Sequence, residues 1–521
     1  MTDVSTSAPP PKPEPLKGAA LALGTLSLSL ATFMNVLDSS IANVSIPAIS
    51  GDLGVSPSQG TWVITSFGIA NAISVPLTGW LTQRFGAVRL FTLSILLFVI
   101  ASWLCGFAPS IELLILFRVL QGLVAGPMIP LSQTLLLSSY PQAKAGTALA
   151  IWGVTTLVAP IAGPLLGGWL TDNMTWPWIF YINLPVGLLA AAMTWGIYRN
   201  RETVTRKLPI DSVGLALLVV WVGALQLMLD KGKELDWFSS SLICALGAVA
   251  LIGFSVFVVW ELTQEHPVVD LKLFNGQNFS IGVVTLSVAY GLFFGNVVLM
   301  PLWLQQWMGY TATSAGMALA PVGFFAILLT PLVGKKVAVW DPRWMATGAF
   351  IVFWMVLFLR SLFTTQTDFD HILIPTLLQG AAMAFFFIPL TTLVLSGQPP
   401  ERMPAAAGLS NFTRITAGAM GTSIATTVWE DRAILHHAHM TESLNNGNAT
   451  YVNTLDNLKA GGLSPEQAMF QINRLIDQQA FTRAADDVFL VSGFIFLSLI
   501  VLVWFTRRPT PTAAPVAKSS T

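Results

Sequence analysis

Long apolar stretches separated by short polar segments dominate this chain. A helix needs about 20 predominantly apolar residues to cross the roughly 30 Å hydrocarbon layer, because lipid offers backbone N–H and C=O groups no partner. Stretches of that length, with an occasional polar residue, fall near 19–47, 61–82, 90–108, 113–138, 146–170, 179–198, 212–229, 240–260, 280–303, 315–333, 345–363, 371–396, 405–428 and 487–506. The pattern predicts an all-α integral membrane protein with fourteen spans. Span 13 is the least apolar, since Asn411 and Arg414 lie inside it.

Composition agrees, because 54% of residues are apolar and only 10% charged, against about 25% charged in soluble domains. Fourteen crossings put both termini on one side. The short connections on that side carry Arg84, Arg89, Lys144, Arg199, Arg201, Arg206, Lys207, Lys272, Lys335, Lys336, Arg343 and Arg402, while the opposite short loops carry little beyond Lys231 and Lys233. Positively charged short loops stay in the cytoplasm, which places both termini there and a long loop at 430–486 outside. Residues 1–17 and 509–521 are rich in Pro, Ser, Thr or Ala and are expected to be disordered cytoplasmic tails. The first of them lacks the charged-then-apolar order of a secretory signal. Cys105 and Cys244 both lie in apolar spans, so no disulfide framework is expected. Zero net charge argues against a nucleic-acid partner. No HExxH, GxSxG or phosphate-binding loop occurs, so an enzyme is not expected.

The two ends of the chain resemble each other. Pro76-Leu77-Thr78-Gly79 recurs as Pro331-Leu332-Val333-Gly334; Leu120-Gln121-Gly122 and Ile129-Pro130-Leu131-Ser132 recur as Leu378-Gln379-Gly380 and Ile388-Pro389-Leu390-Thr391, with an offset drifting only from 255 to 259. The repeat predicts a six-helix bundle at 18–200, an inserted helix pair at 201–278 and a second six-helix bundle at 279–508 that includes the loop 430–486. Two parallel bundles place a substrate site near the midplane between them.

Ionisable groups at bilayer depth are the first candidates for chemistry. Asp38 in span 1 shares a helix face with Asn35, Ala42 and Ser45. An ionised carboxylate there is costly by several kcal/mol unless paired or protonated, which suits a group that takes and releases protons; the alternative is a carboxylate that only hydrogen-bonds a neighbouring helix. Arg118 in span 4 shares a face with Gly122 and is a fixed charge that could hold Asp38 ionised, or a side chain snorkelling to the interface. Arg360, near a span end, reads as an interfacial anchor, and Arg414 as either a cavity-lining cation or part of a polar helix contact. Candidate substrate contacts are Asn35, Gln121, Trp152, Tyr290, Asn296, Gln379 and Arg414. The run Ala159-Pro160-Ile161-Ala162-Gly163-Pro164-Leu165-Leu166-Gly167-Gly168 reads as a bent, tightly packed helix, with Gly163 and Gly167 on one face. His436, His437 and His439 lack the Cys or acidic company of a metal site and read as a solvated or partner-contacting surface.

Several of these segments resemble motifs of one transporter family. The Pro160 to Gly168 run resembles the Gly-Pro motif on the fifth helix of major facilitator superfamily drug antiporters, with Ala159 where that motif usually starts with Gly. Arg118-Val119-Leu120-Gln121-Gly122 resembles the fourth-helix motif, whose Arg is implicated in proton coupling. Gly79-Trp80-Leu81-Thr82-Gln83-Arg84-Phe85-Gly86 resembles the superfamily's loop signature, with Gln83 replacing its acid. Trp176-Pro177-Trp178-Ile179-Phe180-Tyr181-Ile182-Asn183-Leu184-Pro185 resembles a signature of the fourteen-helix antiporters, and the inserted pair separates these from twelve-helix relatives.

The chain is thus similar to the fourteen-helix drug:proton antiporter family, in its EmrB-type branch of inner-membrane pumps. The resemblance implies proton-driven export of hydrophobic toxic compounds (drugs, uncouplers, fatty acids) by alternating access. It further implies a periplasmic membrane-fusion adaptor (EmrA-like), an outer-membrane channel (TolC-like), a bacterial inner membrane, and the proton as coupling ion without a cofactor. Asp38 and Arg118 would carry proton coupling; Gly79, Arg84, Gly86, Pro160, Gly163, Pro164, Gly167 and Gly168 would form the conformational motifs. A proton-coupled importer or facilitator of the same fold, or a non-transporting receptor, are the alternatives.

Overall fold

The computed structural model describes residues 14–206, 209–337, 339–442 and 449–508, and every regular element among them is a helix. The tail 509–521 and most of the tail 1–17 lie outside the described residues. Twelve of the described helices are long and apolar enough to cross a membrane. They are Gly18–Ala42, Trp62–Phe85, Ala87–Gly106, Ile111–Ser139, Trp178–Tyr198, Ser212–Lys231, Ser241–Thr263, Gln277–Gln306, Ser314–Lys336, Pro342–Arg360, Phe369–Leu395 and Pro465–Trp504. The two remaining expected spans, 5 and 13, fall on the helices Ala145–Asn173 and Met403–Glu442. The chain is a multi-pass membrane protein.

Helix starts are written in the sequence. Ser110, Asp211, Thr311, Asp341 and Asp368 each accept a hydrogen bond from a backbone N–H of the following turn, satisfying a donor that the helix itself cannot. Ser464 and Gln467 form a reciprocal capping box at the start of span 14. Gly86, at φ +88°, separates spans 2 and 3 with a conformation that side-chain-bearing residues rarely adopt.

The loop expected at 430–486 is mostly helical. Span 13 continues without a break to Glu442, a helix occupies Ala449–Ala460, and span 14 begins at Pro465. Each of the two 40-residue helices is about 60 Å long at 1.5 Å per residue, roughly twice the hydrocarbon thickness. Their polar ends therefore stand outside the layer as a helical hairpin, held by Trp429 Nε1 donating to the Phe481 carbonyl at 2.8 Å and by Arg432 and His436 on Asp487. The outer part of the hairpin is polar yet helical because its side chains satisfy one another, which an apolar-run scan does not register.

Packing repeats along the chain. Span 1 packs on spans 5 and 6, span 2 on 4, span 3 on 4 and 6; eight spans later, 9 packs on 13 and 14, 10 on 12, and 11 on 12 and 14. Close approach of spans 1 and 5 depends on missing side chains, since a Cβ on Gly163 would stand 2.6 Å from the Ser40 side chain and one on Gly167 2.9 Å from the Ile41 carbonyl oxygen. The helix Ala145–Asn173 runs unbroken through this stretch; the side chains of Pro160 and Pro164 lie outside the described residues. Gly168 has nothing within 4 Å of its Cβ position and takes no part in this contact. Spans 7 and 8 pack on each other, and span 7 lies against spans 2 and 13.

Spans 1–6 and 9–14 meet at two close helix crossings. Spans 5 and 10 touch at Gly146 and Gly334, and spans 2 and 13 at Gly79 and Ala405. On the side opposite the termini span 7 and its loop reach span 13 through Lys233 with Glu430 at 2.6 Å and Trp237 Nε1 donating to Thr427 at 2.8 Å.

Candidate functional site

Inside spans 1–6 a polar cluster is assembled around Asp38. Span 1 brings Asp38 and span 4 brings Arg118, both without solvent exposure of their side chains, to an ion pair of 2.5 Å. Gln121, one turn after Arg118, donates to Asp38 Oδ1 at 3.0 Å and accepts from Arg118 Nη1 at 2.7 Å. Asn183 of span 6 donates to the same Oδ1 at 2.8 Å. Ser102 of span 3 accepts from both amides, at 2.7 and 3.0 Å. Arg118 Nε donates to the carbonyl of Val63 at 2.9 Å, and its guanidinium lies over the Phe67 ring at 4.2 Å. Arg118 is therefore not snorkelling. Both carboxylate oxygens carry charge-assisted bonds, the arrangement that makes a buried ion pair tolerable.

Asn183 and Ser102 were not among the sequence candidates. Asn183 was visible as a lone amide in an apolar span, but Ser102 gave no signal, because a serine bonding its own helix is common in membrane helices.

A second constellation lies where the two six-span sets meet. Arg414 of span 13, 5% exposed, rests over the rings of Tyr290, Phe387 and Trp152 at 4.7, 5.0 and 5.9 Å. Its Nη2 donates to Asn411 Oδ1 at 2.6 Å, and Asn411 donates in turn to Gln133 of span 4 at 3.1 Å. Trp152 of span 5 stacks on Phe387 of span 12 at 5.7 Å. No carboxylate pairs with Arg414 among the described residues. Rings from both sets thus surround one cation, a surface suited to aromatic or anionic groups.

The remaining candidates are scattered. Asn35 is buried and donates to the Ala125 carbonyl at 3.2 Å, and Asn296 donates to Leu292 at 2.7 Å within its own helix. Gln121 donates to Asp38 and Gln379 accepts from Arg360, each bond lying inside its own set. Arg360, expected at the interface, is instead 1% exposed and bonds Gln379 Oε1 at 2.7 Å. Trp176, which opens the Trp176–Pro185 signature, is buried and donates to Asp52 at 2.7 Å. His436 pairs with Asp487 and His437 with Asp477, while His439 is exposed; among the described residues no group of three or more metal-ligating side chains occurs.

Around the loop after span 2, Gly79 lets span 13 approach, since its Cβ would stand 2.8 Å from Ala405 Cα. Arg84 lies over the Trp80 ring at 5.5 Å. Gln83 stands where the motif has an acid. The ion pairs nearby join the connections flanking the inserted pair to the turn before span 13: Arg206 with Glu401 at 3.8 Å and Arg402 with Asp270 at 3.6 Å. Glu202 closes over Gly86 and accepts from the N–H groups of Val88 and Arg89 at 2.9 and 2.8 Å, capping span 3.

The family model described as "Major Facilitator Superfamily" matches residues 28–422, and with the repeated six-span packing this decides the matter. The chain belongs to the major facilitator superfamily. As a member of that superfamily it is a transport protein and not an enzyme. Within the superfamily it is 52% identical over 497 residues, 95% of this chain and 97% of the relative, to the "Multidrug export protein EmrB" of Escherichia coli (strain K12). It is 48% identical over 495 residues, 95% of this chain and 98% of the relative, to the "Fatty acid resistance protein FarB" of Neisseria gonorrhoeae. These matches place it in the EmrB-type branch. Among solved structures of the superfamily, the proton:xylose symporter XylE is similar at a TM-score of 0.59 with 14% identity, covering 93% of this chain and 95% of the symporter, a likeness of fold alone.

Proposed function

We propose that this protein exports hydrophobic toxic compounds, such as drugs, uncouplers and fatty acids, across the bacterial inner membrane in exchange for protons. Both termini then lie in the cytoplasm, the seam at Gly146 and Gly334 is the closed cytoplasmic gate, and the described conformation faces outward. The observation that carries the reading is the Asp38–Arg118 pair at 2.5 Å inside an apolar bundle. Asp38 takes a proton when Arg118 moves away and releases it when the pair re-forms. Arg414 with Trp152, Tyr290 and Phe387 forms the central surface that substrate meets, and the proton is the coupling ion without any cofactor. The relatives' names, an export protein and a fatty-acid resistance protein, support this direction and these compounds.

One proton falling through about 150 mV releases roughly 3.5 kcal/mol, enough for about a 300-fold gradient of a neutral substrate. The outer hairpin formed by spans 13 and 14, with the loop of the inserted pair beside it, is the surface we assign to a periplasmic membrane-fusion adaptor, which passes substrate to an outer-membrane channel. The test is proton release from energised vesicles on addition of lipophilic drugs, comparing the native chain with Asp38→Asn. Substrate-dependent proton flux that disappears in the variant is expected. Uphill substrate movement without proton flux would overturn the mechanism.

A further inference from the structure

A matched pair of glutamines carries unequal charge in the two six-span sets. Gln121 donates to Ser102, nineteen residues earlier on span 3; Gln379 is reached by Arg360, also nineteen residues earlier, on span 11. In both sets a guanidinium donates to the glutamine oxygen at 2.7 Å. In the first set it comes from Arg118, three residues before Gln121. In the second, Thr376 holds that place, and the cation has moved to the neighbouring span, donating also to Thr376 Oγ1 at 3.3 Å.

The acid has not followed. Asp38 closes the first cluster, but among the described residues no carboxylate pairs with Arg360, and its Nε–H, buried, has no hydrogen-bond partner. A guanidinium cannot shed its charge. Arg360 is the last residue of its helix, where the backbone dipole offers about half an elementary charge of the right sign. The remainder is uncompensated, which an interior does not tolerate without a counter-charge.

We propose that Arg360 and the Gln379 amide form a binding site for a small monovalent anion of halide or carboxylate chemistry, supplying the charge that Asp38 supplies in the other set. Thr376 is a positioning residue, because its hydroxyl already donates to the Ile372 carbonyl at 2.8 Å and accepts from the guanidinium. The site lies under the connection 361–368, which includes exposed Leu362, Thr364, Gln366 and Asp368, so the anion enters from the side opposite the termini. It is separate from both Asp38 and Arg414 and does not depend on the direction of transport.

The test is thermal melting of the purified full-length chain in neutral-lipid nanodiscs, in sodium chloride, sodium acetate or bulky sodium gluconate at one ionic strength. The native midpoint is expected to rise saturably by about 2 °C in chloride, acetate or both relative to gluconate. A rise in one alone identifies halide or carboxylate as the occupant. Arg360→Gln should melt alike in all three salts, and Arg360→Lys, which keeps the charge without the planar fork, should need about tenfold more anion for the same rise. Equal native midpoints in the three salts overturn the site without any variant. A native-like response in Arg360→Gln, or an unchanged half-saturating concentration in Arg360→Lys, overturns it as well.

Discussion

Gly146 and Gly334 lie back to back where spans 5 and 10 cross, and a Cβ on Gly334 would stand 2.5 Å from the Gly146 carbonyl oxygen and 2.6 Å from Ala150 Cβ. Backbone meets backbone there, with the side chains of Ala150 and Val337 beside it, so an added side chain has little room.

Gly334→Val should part this seam. Overpacking costs about 1–3 kcal/mol, which lowers the ratio of closed to open molecules by roughly 5- to 150-fold. Ala150, 1% exposed beside the seam, reports the change when Ala150→Cys is combined with Cys105→Ser and Cys244→Ser. Labelling by a polar maleimide is expected to accelerate at least fivefold with Gly334→Val; an unchanged rate would show that the seam is not the gate.

Asp38→Asn leaves Arg118 buried without its counter-charge, a loss of about 3–5 kcal/mol. Adding Arg118→Met removes the orphaned charge and should bring the melting midpoint back toward native, while substrate-driven proton flux stays absent. Flux in the double variant would take Asp38 out of the coupling step.

Arg414→Gln removes the charge that Tyr290, Phe387 and Trp152 surround. Cation–π and ionic contacts of this kind are worth about 1–2 kcal/mol when desolvated, so half-maximal transport in proteoliposomes should need about tenfold more substrate. The maximal rate should stay within about twofold if Arg414 serves binding alone. A native concentration dependence would place the substrate elsewhere.

Lys233 and Glu430 are 47% and 39% exposed, and exposed ion pairs are worth about 0–1 kcal/mol. Lys233→Glu should therefore change the melting midpoint by less than about 2 °C and transport by less than about twofold. Restoration by Glu430→Lys of a larger loss would instead show that this contact holds the inserted pair against span 13.

Much of this protein is legible in its sequence. The apolar runs mark the spans, the repeats at Gln121 and Gln379 announce packing that recurs eight spans later, and Asp38 and Arg118 stand out because charge at that depth is rare. The 430–486 segment misleads, because its helices are polar and stabilised by pairs such as His436 with Asp487, which no hydropathy pattern contains. Arg360 misleads for the opposite reason. A cation near a span end looks like an interfacial anchor, and only the packing of spans 11 and 12 shows it enclosed.

What the sequence by itself determined is that the chain is a bundle of membrane helices with an internal repeat, because in lipid a backbone must satisfy its own hydrogen bonds and a long enough apolar run has no other solution. Which charges are compensated was decided only by the tertiary structure. Asp38 meets Arg118 across 80 positions of sequence and Asn183 across 145, while Arg360 and Arg414 meet no acid among the described residues. The state of a buried charge depends on the neighbours that helix packing brings within a few ångströms, and no local pattern encodes them.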